Sequence, residues 1–249
     1  MANDTTDLAQ LPCKQFKDGA WRAFEDTAAP EVAVTLTLDN DKKIQLWAFP
    51  HHLSDLALGH ALTDHCPPGQ TPDVTELSPR EFAAHFSPAV IPESVPGPTS
   101  DSTPWSTPLT ASDILHAAAR FMELPGHFNT TGCFHRAALY DPSAHAFIHH
   151  TEDIGRHNCL DRLAGFALRQ GLALSGFALF VTARATASLA AKAVRSGYGV
   201  MVSRSAVTTA AVQLARDAGM TLIGFSRENR FSVFTDPKHR VVCDAALVG

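Results

Sequence analysis

The densest group of polar side chains in this chain is the stretch TEDIGRHNCLDR, residues 151–162. Upstream of it, residues 144–148 have the apolar character of a short strand. Downstream, apolar residues recur at helical spacing, at Leu160, Leu163, Ala164, Ala167 and Leu168. The polar stretch is therefore expected where a strand leads into a helix, with Gly155 allowing the backbone to turn.

The side chains of this stretch suit a nucleotide-like ligand. Free backbone N–H groups at the start of a helix, beside Arg156 and His157, favour a bound phosphate. The carboxylates of Glu152, Asp153 and Asp161 supply acceptors for the NH edge of a base or for a ribose hydroxyl. A helix N-cap with a surface ion-pair network is the alternative. The convergence of many side chains of different chemistry on one strand–helix junction favours a ligand site.

The composition excludes several classes of protein. The 249 residues allow one large domain, or a main domain with a smaller companion, and an apolar content of 45% allows a substantial core. A net charge of -5 argues against non-specific nucleic-acid binding. The first residues are acidic and polar rather than a secretory signal, and no apolar stretch is long enough to span a bilayer. These features predict a soluble cytoplasmic protein that binds neither nucleic acid nor membrane.

The cysteines indicate a reducing compartment and argue against zinc. They are odd in number, widely spaced and without a C-x-x-C pair: Cys13, Cys66, Cys133, Cys159 and Cys243. Residues 150–152 reproduce the H-x-E half of a zinc deaminase signature, but the P-C-x-x-C half is missing. Because no cysteine pair could complete a tetrahedral site, zinc is not expected.

Two cysteines lie close to polar motifs. Cys133 follows Gly132 and precedes His135 by two residues, and positive neighbours favour the thiolate of such a cysteine. The alternative for Cys133 is a small buried hydrophobic residue, which is the fate of most free cysteines. Cys159 falls in the first turn of the predicted helix, and its place in the apolar pattern predicts burial.

The first half of the chain is the less regular one. Residues 1–30 are interpreted as a loosely held entry segment, which Phe16, Trp21 and Phe24 could anchor. Apolar residues alternate with smaller or polar ones at 32–38, as in a half-buried strand, and residues 44–48 are expected to form a second strand. The two strands predict a hairpin, and a short helix is predicted after it. From residue 66 to residue 110 prolines are frequent, which predicts a long loop with a short helix or strand near residues 80–86.

The second half alternates between helices and strands. The pattern predicts a helix at 111–124, capped by Thr110, with its buried face formed by Leu115, Ala118, Ala119 and Met122. Strands are predicted at 177–182, 200–202 and 221–225, with helices at 185–195 and 208–219 and an edge strand at 231–234. This order predicts an α/β fold, a layered mixed sheet with helices on both faces, plus a smaller N-terminal α+β part. The predicted division is an extension at 1–30, an α+β part at 31–109 with a Pro/Ser-rich loop at 87–109, and an α/β domain at 110–249.

Arginines and hydroxyl groups follow the predicted strands. Arg184 comes after the first of the three buried strands, Ser205 after the second and Arg227 after the third. In such sheets ligands gather at the carboxyl ends of the strands, and arginines presented together can bind phosphate bidentately. Any single arginine is more often simply solvated. Their recurrence indicates a phosphorylated or nucleotide-like ligand.

Two motifs resemble a known family. The sequence reads T-G-x-x-H-x-A-A at 131–138 and E-D-I-G-R-H-N-x-x-D-R at 152–162. These resemble the formate dehydrogenase accessory proteins, the FdhD-type sulfurtransferases, whose patterns are roughly T-G-G-x-H-x-A-A and E-D-v-G-R-H-N-a-v-D-K. Residues 184–185, 205–206 and 219–230 also match, and residues 50–59 match more weakly. The resemblance covers nearly the whole chain from about residue 30.

The resemblance implies a fold, a cargo and partners. The implied fold is cytidine-deaminase-like without the deaminase zinc. The resemblance implies that the protein takes sulfur from a cysteine desulfurase and passes it to the molybdenum or tungsten bis-guanine-dinucleotide cofactor of a formate dehydrogenase. It also implies that GDP can bind in place of this cofactor. The implied partners are the formate dehydrogenase catalytic subunit and a cysteine desulfurase, and a homodimer is left open. The implied cofactor-binding residues are Thr131, Gly132, His135, Glu152, Asp153, Gly155, Arg156, His157, Asn158, Asp161, Arg184, Ser205 and Arg227.

One departure from the family pattern concerns the cysteines that carry sulfur. The family carries sulfur on a C-x-x-C pair in a loop that here should fall around residues 94–108, where no cysteine occurs. Cys133 stands at the second glycine of T-G-G, so it is the candidate catalytic residue if sulfur is transferred at all. The other interpretation is a cofactor-binding chaperone without sulfur transfer. It is slightly favoured, since a tight turn suits a carrier poorly. A zinc-free nucleoside-modifying hydrolase and a plain scaffold remain as alternatives.

Overall fold

The computed structural model describes residues 8–89, 105 and 107–242. The first elements are β1 (Ala9–Lys17), β2 (Ala20–Ala28), β3 (Val32–Leu38), β4 (Lys43–Ala48), α1 (Leu53–His60), β5 (Gln70–Ser78) and β6 (Glu81–Pro88). The following elements are β7 (Leu109–Thr110), α2 (Ala111–Glu123), β8 (His135–Asp141), β9 (Ala146–Asp153), α3 (Arg156–Arg169) and β10 (Ala178–Val181). The last are α4 (Ala187–Arg195), β11 (Val200–Ser203), α5 (Thr209–Asp217), β12 (Thr221–Arg227), β13 (Arg230–Thr235) and β14 (Val241–Val242).

The larger sheet has six strands in the order β13-β12-β11-β10-β8-β9. Strands β10, β11 and β12 run parallel, whereas β8, β9 and β13 are each antiparallel to a neighbour. Helices α3, α4 and α5 contribute to the core on one face, and α2 contributes to the core on the other. All residues of β10 are buried, as expected for a strand covered on both sides. The predicted α/β layering, with a mixed sheet and helices on both faces, is confirmed.

The smaller sheet has the strand order β4-β3-β6-β5 and packs on α1. Alternate residues of β3 are buried, which is the pattern of a strand with one covered face. Helix α1 also crosses α3 at very short range. A Cβ atom added to Gly59 would lie 1.7 Å from the carbonyl oxygen of Asp161, and one added to Gly165 would lie 2.0 Å from that of Asp55. The two sheets are therefore joined through a glycine-dependent helix contact.

The structure differs from the expectations for the first half of the chain. Residues 9–28 form an antiparallel hairpin instead of a loose entry segment, and Phe16, Trp21 and Phe24 are exposed rather than anchoring. Strand β5 occupies part of the expected long loop, beginning directly after the turn-forming Pro-Pro-Gly at 67–69. Its proline is tolerated because β5 lies at the edge of its sheet. The rest of the proline-rich segment, residues 90–104, lies outside the described residues.

Helix α2 begins as predicted but buries a different face. Thr110 and Asp113 form a reciprocal capping box. The buried residues are Ile114, Ala117, Ala118 and Phe121. Of the predicted set, Ala118 is confirmed, whereas Leu115, Ala119 and Met122 each lie one position after a buried residue. Both stripes are apolar in sequence. Packing decides between them, because the Phe121 ring lies against Phe147 and Phe180. No helix within the described part is long and apolar enough to cross a bilayer.

Candidate functional site

The topology brings the predicted site residues to one edge of the larger sheet. Strands β10, β11 and β12 end there, β8 begins there and β9 ends there, with His135 paired to Asp153. The start of β8 adjoins the end of β10, since the backbone N–H of Thr182 donates to the carbonyl of Arg136 at 3.0 Å. Helix α3 begins directly after β9. The strand–helix junction and the strand ends, deduced separately from the sequence, therefore lie at the same edge.

Glu152 anchors a loop from within this edge. Its carboxylate accepts hydrogen bonds from the backbone N–H of His127 at 2.5 Å and of Phe128 at 3.1 Å, and it pairs with Arg136 at 2.7 Å. A Cβ atom added to Gly126 would lie 2.4 Å from Glu152 Oε2. Both carboxylate oxygens are therefore engaged inside the protein. The structure gives Glu152 the task of holding the loop before the T-G motif.

Asp153 and Arg162 form a buried ion pair, with 2.5 Å between Arg162 Nη2 and Asp153 Oδ2. Arg162 also donates to the backbone carbonyls of Phe49, at 2.7 Å, and His51. Asn158 donates from Nδ2 to Asp153 Oδ1 at 2.9 Å and to a carbonyl of β4 at 2.8 Å. These contacts fasten the start of α3 to the N-terminal sheet.

Gly155 was expected to let the backbone turn between β9 and α3, but the structure gives it a different role. Its φ is -87° and its ψ is 116°, an extended conformation that any residue adopts, so backbone freedom is not the requirement. A Cβ atom at this position would lie 2.9 Å from Nδ2 of Asn158. The glycine is needed because the Asn158 side chain packs against it.

Asp161 lies in a second buried network. It accepts hydrogen bonds from Thr63 Oγ1 at 2.7 Å and Lys192 Nζ at 2.5 Å, and it contacts His60 Nδ1 at 3.1 Å. Burial alone would raise the pKa of Asp161, but the His60 hydrogen bond and the Lys192 charge hold it below its ordinary value. Within the described chain, His60, Asp64 and Asp161 are the one group of three side chains arranged like metal ligands. Lys192 Nζ also lies 2.7 Å from Asp64, so an ammonium group already sits between the two carboxylates.

Two arginines, Arg156 and Arg184, act electrostatically on the half-buried His135, and the Asp153 carboxylate opposes their effect. Burial lowers the pKa of His135, and the guanidinium groups of Arg156 and Arg184 lower it further. Among the described residues neither Arg156 nor Arg184 forms an ion pair, and the buried Nε of Arg156 has no hydrogen-bond acceptor. Two neighbouring arginines, Arg136 and Arg162, are in contrast paired with Glu152 and Asp153. The unmatched pair is the feature expected of an anion site.

His157 and Ser188 add polar groups from two helix starts. His157 Nε2 lies 3.1 Å from Ser188 Oγ, which lies 3.3 Å from Thr186 Oγ1. Burial lowers the pKa of His157, as do the charges of Arg156 and Lys192, so its imidazole is neutral near pH 7. Sequence reasoning missed Ser188. The available signal was its position four residues after Arg184, in the first turn of the helix that follows a buried strand.

The remaining predicted residues lie in the turn before β8 and after the ends of β11 and β12. Thr131 and Gly132 belong to the turn before β8, where Thr131 Oγ1 accepts a hydrogen bond from the backbone N–H of Cys133 at 3.2 Å. Ser205 bonds locally, with its N–H donating to Ser203 Oγ at 3.0 Å. Arg227 is exposed at the end of β12. The structure places these residues at the same edge, and their part in ligand binding stays a prediction.

The thiols differ in accessibility. Cys133 is exposed, so the alternative of a small buried residue is wrong for it. Cys159 is buried as predicted, and burial raises its thiol pKa well above the ordinary value, which makes it unreactive. Cys243 lies outside the described part of the chain.

A cavity of about 230 Å³ lies between the segment that joins β4 to α1 and strand β9. Five histidines line it together with other residues: His51, His52, His127, His149 and His150. His150 Nε2 lies 2.9 Å from the carbonyl of Pro125, and the His149 ring stacks on Phe166 at 3.7 Å. Both residues lie within β9 and line this cavity. Neither Arg156 nor Arg184 lines this cavity.

Comparison with known proteins identifies the class. Residues 91–241 match the model of the FdhD/NarQ family, and the chain belongs to that family. It is similar to the sulfur carrier protein FdhD of Staphylococcus haemolyticus, 34% identical over 159 residues, covering 64% of this chain and 56% of the relative. It is also similar to the sulfur carrier protein FdhD of Staphylococcus aureus strain MRSA252, 36% identical over 130 residues, covering 52% and 48% of the two chains. The chain thus matches about half the length of these curated relatives.

A solved structure shows the same fold. It is the crystal structure of a protein from Desulfotalea psychrophila described as a formate dehydrogenase accessory protein. The likeness has a TM-score of 0.76 and covers 94% of this chain and 99% of that one, at 19% sequence identity. At this identity the comparison speaks for the fold alone.

Proposed function

We propose that the chain binds a molybdenum or tungsten bis-guanine-dinucleotide cofactor as cargo and supports its sulfuration or insertion in a formate dehydrogenase. The observation that carries this is that Arg156 and Arg184, at the sheet edge where β8 begins, form no ion pair among the described residues, and that the buried Nε of Arg156 has no acceptor there. A dinucleotide cofactor carries pyrophosphate groups, which need such cations. Membership of the FdhD/NarQ family and the relatives' name, sulfur carrier protein, favour this cargo over other phosphorylated ligands.

The side chains of the central motif divide into two groups. Arg156, Arg184 and His157 would contact the phosphates, together with the free N–H groups at the start of α3. His135, Thr131 and Gly132 would line the site, and Ser205 and Arg227 would extend it along the sheet edge. In contrast, internal partners engage the carboxylates of Glu152, Asp153 and Asp161 and the amide nitrogen of Asn158. We therefore assign these four to positioning α3 and its neighbouring loop rather than to direct recognition.

Calorimetric titration with GDP tests the proposal. We expect the intact chain to bind GDP in the micromolar range and Arg156→Ala to weaken binding at least tenfold, because a charge-assisted hydrogen bond contributes about 1.5–3 kcal/mol. Arg169→Ala is the matched control, since that arginine lies at the far end of the same helix and pairs with Asp55 at 2.9 Å. GDP binding should be unchanged in that variant.

Failure of the intact chain to bind GDP would overturn cofactor binding. In that case a plain scaffold, which binds formate dehydrogenase but no nucleotide, becomes the better hypothesis. Equal loss in Arg156→Ala and Arg169→Ala would show that general charge, rather than the arginine pair, determines binding.

A second candidate function is sulfur transfer through Cys133. Its favouring observation is an exposed thiol two residues from His135, at the edge that holds the arginine pair. In this mechanism the Cys133 thiolate attacks the outer sulfur of a cysteine desulfurase persulfide. The desulfurase thiolate leaves, and Cys133 holds the persulfide. We favour cargo binding without this step, because the Cys133 turn is fixed at the start of β8 and a carrier has to meet two partners.

Replacing Cys133 with serine separates the two functions. For a chaperone we expect full GDP affinity and formate dehydrogenase activity within twofold of that supported by the unmodified chain. Loss of nearly all formate dehydrogenase activity with GDP binding intact would instead establish Cys133 as the carrier. Cys13→Ser is the control for removing an exposed thiol elsewhere.

A further inference from the structure

Five histidines face the cavity of about 230 Å³ beside β9, which we call the histidine cavity. They come from three separate segments of the chain. His51 and His52 precede α1, His127 lies in the loop before the T-G motif, and His149 and His150 lie in β9. The described residues offer no hydrogen-bond partner to the ring nitrogens of His52, His127 and His149. These three imidazoles are therefore available to a ligand.

Ring contacts hold two of these imidazoles in place without using their nitrogens. The ring of His149 stacks on Phe166 of α3, with 3.7 Å between the centroids. The ring of His127 lies 5.3 Å from that of the buried Phe49. Because the two rings are oriented before any ligand arrives, a ligand that binds them loses less free energy in ordering them.

The acidic and basic residues that line the histidine cavity are already neutralised. Each has an ion-pair partner of opposite charge: Asp55 with Arg169 at 2.9 Å, Glu152 with Arg136 at 2.7 Å, and Arg162 with Asp153 at 2.5 Å. Apart from these residues and the five histidines, no titratable side chain in the described part of the chain lines the cavity. A proton taken up by an imidazole therefore meets no unpaired carboxylate in the lining.

The electrostatics of His149 show the consequence. Burial lowers its pKa, the charges of His150 and His52 lower it further, and Asp55 opposes them only in part. The imidazole of His149 is therefore neutral near pH 7. An anion in the cavity would offset the repulsion and raise this pKa, so anion binding and proton uptake favour each other. The affinity of the cavity for an anion should consequently rise as the pH falls.

The spacing of the imidazoles favours a polyatomic anion over a single metal ion. Within the described chain no three of these histidines have ring nitrogens within 4.8 Å of one another. Nitrogen ligands of one metal ion lie closer together, because each is about 2.0–2.1 Å from the ion. Donors to a tetrahedral oxyanion stand farther apart, since hydrogen bonds of about 2.8 Å reach the oxygens at its periphery. A volume of about 230 Å³ also holds such an ion together with water.

We infer that the histidine cavity is a second anion site, which binds a small tetrahedral oxyanion such as phosphate or sulfate through His52, His127 and His149. The ring N–H groups donate to the oxygens of the anion, and the protons taken up with it balance its charge. A bound oxyanion ties together the segment before α1, the loop before the T-G motif and strand β9. Neither Arg156 nor Arg184 lines this cavity, so the inference is independent of cofactor binding at the arginine pair.

Calorimetric titration with sulfate tests the inference, since the charge of sulfate is constant between pH 6 and pH 8. The Arg156→Ala/Arg184→Ala variant is the background, because it removes the cations of the other site. We expect one sulfate per chain at pH 6 and at least tenfold weaker binding at pH 8, since uptake of one proton changes an affinity by up to about tenfold per pH unit. No binding at pH 6, or equal affinity at both pH values, would overturn the inference.

Two histidine variants in the same background locate the sulfate. We expect His52→Gln/His149→Gln to weaken sulfate binding at pH 6 at least tenfold. His116→Gln/His239→Gln is the matched control, since it removes two exposed histidines that do not line the cavity, and it should leave the affinity unchanged. An equal loss in both variants would show that overall charge determines binding and would refute a site in the cavity.

Nuclear magnetic resonance of the histidine rings gives the same information for the unmodified chain and so does not depend on how the variants fold. Sulfate at pH 6 should shift the ring nitrogen signals of His52, His127 and His149. Shifts confined to His135 and His157 would place sulfate at the arginine pair alone and contradict the inference. Equal loss of amide protection in the loop at 127–128 on acidification, with and without sulfate, would show that the cavity opens instead of binding an anion, which also contradicts it.

Discussion

The Asp153→Ala variant is expected to lose about 3–5 kcal/mol of unfolding free energy, the usual cost of leaving one member of a buried ion pair without its partner. The Asp153 carboxylate is fully buried and accepts hydrogen bonds from Arg162, Asn158 and the backbone N–H of Gly155. Its removal leaves the Arg162 guanidinium buried with only backbone carbonyls as acceptors. Urea unfolding followed by circular dichroism measures the change.

Three further variants make this measurement decisive: Glu31→Ala, Arg162→Leu and the double variant Asp153→Ala/Arg162→Leu. Glu31→Ala removes an exposed carboxylate and should change stability by less than about 0.5 kcal/mol. The double variant Asp153→Ala/Arg162→Leu should lose less than the sum of the two single changes, because no unpaired charge remains buried. Strict additivity would show that the two residues stabilise the fold independently, contrary to the observed pairing.

Alanine at Gly59 or Gly165 is expected to cost about 3 kcal/mol or more, because overpacking against a backbone exceeds the usual 1–3 kcal/mol. The added methyl group would lie 1.7 Å from a backbone oxygen of α3 in the first case and 2.0 Å from one of α1 in the second. Flexible side chains could move aside from such a contact, but backbone cannot. The helices would have to separate, exposing the core beneath both.

Thermal unfolding of the two glycine variants provides the measurement, with Gly176→Ala as the control. Gly176 has no atom within 4 Å of an added Cβ, so its replacement should leave the melting temperature nearly unchanged. Wild-type stability in Gly59→Ala would mean that α1 and α3 are not in backbone contact in solution.

The sequence predicted the α/β domain well because its strands and helices are regular. The buried run at β10 and the apolar spacing of α3 correspond to faces that are actually covered. Prediction failed where several solutions satisfy the local pattern. Helix α2 has two adjacent apolar stripes, and only packing on Phe147 and Phe180 selects the one containing Phe121. Strand β5 was missed since proline is normally excluded from strands, except at an edge.

The sequence predicted which residues meet at one sheet edge, but not the internal partners that each of them has. Motif spacing placed Arg156 and Arg184 correctly at one sheet edge. The same reasoning assigned Asp153 and Asp161 to the ligand, although each has buried basic partners, Arg162 and Lys192. Those partners are 9 and 31 residues away. A one-dimensional pattern shows that a carboxylate is present, whereas only the fold shows what neutralises it.

Helix α1 belongs to two cores at once, since one side covers the N-terminal sheet and the other touches α3. A hinge between the two sheets is therefore ruled out at this contact, and the parts should move as one rigid body. The amide protons of α1 and β3 should consequently exchange with solvent only through global unfolding. An anion that stabilises the start of α3 would slow exchange in the N-terminal sheet, although it touches no residue there.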